Sequence, residues 1–107
     1  MTMNEVLHAF EPYIQESPYL DVCQSKFGYV TLHYNPGTDS IIYTPDLIRS
    51  PEEMLQSLKE EIVLDVLEHT EHDLDTASKE ELAEIERRTE PFLKRLQGQC
   101  KEERKTI

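Results

Sequence analysis

The run Tyr29-Val30-Thr31-Leu32-His33-Tyr34 is followed by Asn35-Pro36-Gly37-Thr38, and these ten positions decide the fold. In an extended chain side chains alternate, so Val30, Leu32 and Tyr34 share one side and Tyr29, Thr31 and His33 the other. The turn that follows has type II chemistry: Pro presets φ at its second position and Gly tolerates a positive φ at its third. Ser40 to Thr44 then supplies a further strand through Ile41, Ile42 and Tyr43. Upstream, Tyr19 to Ser25 also alternates, with Leu20 and Val22 on one face and Asp21 and Cys23 on the other. Only Lys26-Phe27-Gly28 separates it from the central run. Connections this short favour an antiparallel meander, because parallel neighbours need long crossovers. The more apolar Val30 and Leu32 are expected to face inward, leaving Tyr29, Thr31 and His33 on the solvent side.

Three strands do not hold together alone in water, so helices must cover one face. Three are expected. Val6, Leu7, Phe10, Tyr13 and Ile14 form one helical stripe, opened by a Thr2/Glu5 capping box, kinked at Pro12 and closed by Ser17-Pro18. Ser50-Pro51-Glu52-Glu53 is a strong helix start: Ser50 caps, Pro51 suits the first helical position and Glu53 faces the positive end of the dipole. Met54, Leu55, Leu58, Ile62, Val63, Val66 and Leu67 follow, and mark this as the central packing helix. Ser78 and Glu81 open a last helix. Its stripe of Leu82, Ile85, Thr89, Phe92, Leu93 and Leu96 keeps phase through Pro91, which argues for one kinked helix. Gly98 is a natural stop. The expected architecture is α+β, a three-stranded antiparallel meander packed against three helices in the order α-β-β-β-α-α. Residues 1–98 are read as one domain and 99–107 as a flexible charged tail.

The 107 residues suffice for one domain with a single core. Eleven Lys and Arg against 22 Asp and Glu give a net charge of −11, which repels the phosphates of nucleic acid and suits a basic partner. The imbalance is uneven. From Arg87 onward seven basic residues face three acidic ones, a net of +4, so the first 86 residues carry −15. Arg87, Arg88, Lys94 and Arg95 read as a solvated outer helix face. Cys23 and Cys100 form no paired motif, no apolar stretch approaches the ~18 residues of a membrane helix, and the N-terminus lacks the pattern of a signal peptide. A reducing cytoplasm is the expected location, and no membrane or direct nucleic-acid partner is expected.

Two constellations could carry chemistry. Asp65, His69 and His72 fall at i, i+4 and i+7, one stripe of a helix, with Glu61 and Glu68 near. Two imidazoles and a carboxylate so placed suit a borderline divalent metal. Equally, a His near a helix C-terminus complements the dipole, and Asp65 with His69 makes an ordinary i,i+4 pair. His33 with Tyr29, Asp39 and Tyr43 could meet across the sheet, where a His beside an Asp is a general base. Its placement on the expected solvent side argues against that. With three glycines there is no phosphate-cradling loop, and no nucleophile elbow occurs. The sequence therefore predicts a small acidic, non-catalytic protein-binding or regulatory module without a cofactor, whose partner is another protein or a second copy. The alternative is a metal-binding protein or metal-dependent hydrolase using Asp65, His69 and His72.

Overall fold

The computed structural model describes residues 1–35, 37–38, 40–42, 45–68 and 70–105, with 99–105 as backbone only. The fold is α+β. Its elements are α1 (Met3–Ala9), α2 (Glu11–Glu16), β1 (Leu20–Ser25), β2 (Gly28–Asn35), β3 (Ser40–Ile41), β4 (Asp46–Ile48), α3 (Pro51–Leu67) and α4 (Lys79–Lys105). The chain divides into two compact units, Met1–Met54 and Leu55–Ile107.

In the first unit the Thr2/Glu5 capping box forms in full: the Glu5 amide donates to Thr2 Oγ1 at 3.1 Å and the Thr2 amide to Glu5 Oε1 at 2.6 Å. The expected single kinked helix is two. Phe10, at φ −96° and ψ 5°, closes α1 and opens α2, and Pro12 lies in the first turn of α2. There its missing N–H is one that a helix start leaves unpaired anyway.

All strand pairs are antiparallel and β2 is central. Ser25 pairs with Gly28 across the two-residue link Lys26-Phe27. Gly28 has φ +147°, and a Cβ there would lie 2.6 Å from the Ile48 carbonyl oxygen, so only glycine fits this junction of three strands. The expected third strand is shorter than Ser40 to Thr44 and is continued by β4, which the sequence reading missed; Tyr43 and Thr44 lie outside the described residues. Tyr34 pairs with Ile41, whereas Thr31 pairs with Asp46. Between those pairs β2 has the two residues Leu32 and His33 and the opposite chain has four, 42–45, so the registers of β3 and β4 on β2 differ by two.

The expected inner and outer faces are exchanged. Thr31 is 2% exposed, and on its side lie Leu20 at 5%, paired with His33, and Ile48 at 4%, paired with Tyr29. On the side of Val30, Leu32 and Tyr34, the flanking strands carry exposed Cys23, Leu47 at 39% and Ile41 at 50%. Central-strand polarity alone misleads here. The flanking Leu20 and Ile48 make the side of Tyr29, Thr31 and His33 the greasier one, and the threonine methyl is compatible with it.

Met54, which ends the first unit, begins the buried stripe of α3, continued by Leu58, Ile62 and Leu67, while Leu64 is exposed. Ser50 caps the helix as expected, accepting from the Glu53 amide at 3.1 Å. The Ser78/Glu81 box at the start of α4 is complete, at 2.9 and 3.1 Å. As expected, α4 is one helix through Pro91; within it Thr89 Oγ1 donates to the Ile85 carbonyl at 2.7 Å. Thr89 and Leu96 are its buried positions among the described side chains. The helix does not stop at Gly98 but continues to Lys105. One glycine costs a helix only about 1 kcal/mol relative to alanine, and the following Lys, Glu and Arg are good helix formers. No described helix is long and apolar enough to cross a membrane.

Candidate functional site

The stripe proposed for a metal does not extend as its spacing assumed. Asp65 lies in the last turns of α3, which ends at Leu67, so His72 is off the helix. Its amide donates to Thr70 Oγ1 at 3.2 Å, and its Nδ1 lies 2.6 Å from Glu81 Oε1. His69 lies outside the described residues. Among the described residues no three His, Cys, Asp or Glu side chains stand together to hold a metal. Glu81 answers instead to its own cap: the Ser78 amide, then the His72 imidazole, lower its pKa from 4.5 to about 2.

The second set fares similarly. His33 and Tyr29 share the covered face of β2, paired with Leu20 and Ile48; Asp39 and Tyr43 lie outside the described residues. On α4, Arg87 and Arg88 both reach Glu84, with Nε and Nη2 of Arg87 at 2.8 and 2.6 Å and Nε of Arg88 at 2.7 Å. Lys94 pairs with Glu90 at 3.1 Å. These hydrogen bonds hold the Glu84 carboxyl below its ordinary range and raise the Arg87 guanidinium. Much of this basic stretch is thus balanced on its own helix surface.

What the structure assembles is the open face of the sheet. Pairing places Asp21 and Cys23 of β1, Val30, Leu32 and Tyr34 of β2, Ile41 of β3 and Leu47 of β4 on one side. Neighbouring strands lie about 4.8 Å apart and a residue rises about 3.4 Å, so the face is about 10 Å wide and about 20 Å long. Leu32, Val30 and Leu47 form its apolar strip. Asp21 is the one charged side chain among these seven, and its carboxylate accepts long contacts from Tyr34 Oη at 3.4 Å and Cys23 Sγ at 3.6 Å. Loss of water around the sulfur, then the Asp21 charge, raise the Cys23 thiol above its usual range. Its thiolate is correspondingly scarce, which makes it a poor nucleophile. The Tyr34 hydroxyl is raised for the same reasons.

The outer edge of β1 is partly capped. The Tyr34 amide donates to the Tyr19 carbonyl at 2.7 Å, so Tyr19, Asp21 and Cys23 point their backbone groups at β2. Alternation then turns those of Leu20, Val22 and Gln24 outward. Two of these three outward donors are already taken. The Leu20 amide donates to Ser17 Oγ at 3.2 Å and the Val22 amide to Asp21 Oδ1 at 2.9 Å. Sequence reading missed both the face and the edge. The signal for the second was present in Ser17 and Asp21, short polar residues that bond to nearby backbone.

No family model, curated protein or solved structure matches the chain.

Proposed function

We propose that the chain is a non-catalytic protein-binding module that works through the open face of its sheet. The observation that carries this reading is the exposed apolar strip of Leu47 and Ile41 beside Val30 and Leu32. A contiguous apolar patch left to water marks an interaction surface more often than a scattering of single residues does. The polar groups on the face are held by one another, which suits recognition and leaves no activated nucleophile.

A photo-crosslinker attached to Cys23, in a chain carrying Cys100→Ser, tests the reading in extracts of the source cells. The expected result is a discrete crosslinked species that disappears with Leu47→Glu and does not form when the label sits on α4 at Glu86→Cys in a chain that also carries Cys23→Ser. Labelling that is diffuse, or equal at both sites, would overturn it.

A further inference from the structure

We infer that the occupant of the open face is a basic amphipathic helix of a partner protein, its apolar side on Val30, Leu32 and Leu47 and a Lys or Arg against Asp21. The inference rests on the reading of that face as a protein-binding surface and adds the kind of partner it takes.

Two observations select a helix. Strand addition at β1, the usual way for a sheet to accept a peptide, would have to displace Ser17 Oγ and Asp21 Oδ1 from the Leu20 and Val22 amides. The face is about 10 Å wide, which matches the diameter of one helix with its side chains.

Charge selects the sign. Residues 1–54 contain eight Asp and Glu against two Lys and Arg, a net of −6, so the unit that carries the face attracts cations and repels acidic helices. Asp21 sits beside Leu32 and Tyr34 on that face, where it can receive a cation flanking the apolar stripe of a bound helix. The Val22 amide and the Tyr34 hydroxyl both donate to its carboxylate, so less side-chain freedom is lost when the partner arrives.

The test is a nuclear magnetic resonance titration of the full chain with four synthetic peptides. One is a Leu/Lys amphipathic helix, one a Leu/Glu helix of the same pattern, one a scrambled Leu/Lys peptide of equal charge, and one an alternating Val/Lys strand former. The amphipathic Leu/Lys helix is expected to shift the amides of residues 21–23, 30–34 and 47 in a saturable way, with the other three at least tenfold weaker. Leu32→Asp should weaken it tenfold or more. Leu47→Glu, at a position already exposed, repeats that loss where a misfolded Leu32 variant could confuse it. Asp21→Asn should weaken binding about threefold, an effect that fades at high salt. Preference for the strand former, equal binding of the scrambled peptide, or shifts confined to other residues would overturn the helix. If the Cys23 crosslink remains specific in that case, the face still binds protein and only the kind of partner is wrong. If the crosslink also fails, both fall.

Discussion

Nδ1 of His72 lies 2.6 Å from Oε1 of Glu81, the same oxygen that receives the Ser78 amide at 2.9 Å. One carboxylate therefore caps α4 and holds the segment that leads into it. Because the folded pKa of Glu81 is depressed, from 4.5 to about 2, its contribution is complete above the unfolded value and is lost as pH falls through the folded one. Glu81→Gln should thus flatten the fall in Tm between about pH 5 and pH 2. Thermal melts across that window check it; a variant with the parental slope would show that other carboxylates govern acid stability.

Thr31 Oγ1 is buried and has no hydrogen-bond partner among the described residues. A buried hydroxyl without a partner costs stability that an apolar group of the same shape does not. Thr31→Val should therefore raise stability by about 1 kcal/mol, seen as a Tm increase of about 4 °C or more. A fall in Tm would mean that the hydroxyl holds a partner.

Gly28 tolerates no side chain, on two grounds: its positive φ and the Ile48 carbonyl 2.6 Å from any Cβ. Gly28→Ala should cost about 2 kcal/mol or more, read from the urea midpoint at unchanged m-value. The loss should exceed that of Gly37→Ala, whose nearest neighbour is the Asn35 side chain at 3.4 Å. Equal losses would contradict the strained junction.

The capped edge of β1 predicts a solubility effect. Ser17→Ala with Asp21→Ala frees the Leu20 and Val22 amides and leaves an unpaired strand edge, a template for pairing with other chains. Light scattering should show concentration-dependent association of the double variant under conditions where the parent shows less. Indistinguishable profiles would remove the protective role of these two side chains.

The legible parts of the fold were those written in local chemistry. Thr2 with Glu5, Ser50 with Glu53, and Ser78 with Glu81 mark helix starts because a cap needs specific atoms within one turn. The meander could be read from its short connections for the same reason. The direction of the sheet could not, because the covered side depends on Leu20 and Ile48, which flank β2 in space rather than in sequence. β4 escaped notice because Asp46-Leu47-Ile48 is too short to show a period, and Pro45 before it looks like the end of a strand. The same reversal hides the candidate site, because by their own polarity Val30 and Leu32 read as interior. His72 joins the i, i+4, i+7 stripe by spacing alone; the polar stretch 70–76 already marks a break in the pattern, and α3 ends at Leu67.

The registers of β3 and β4 on β2 differ by two residues, and this offset governs how the chain can vary in length. An excess of two residues returns each strand residue to the side it would otherwise occupy, which is why Ile41 and Leu47 both share the face of Val30. A single residue added or removed in 42–45 would send β4 into the sheet upside down, with Leu47 turned inward and Ile48 outward. Changes in pairs would leave the sides as they are. Grafted sequences at this position, whether by descent or by an engineer, are therefore tolerated in even steps.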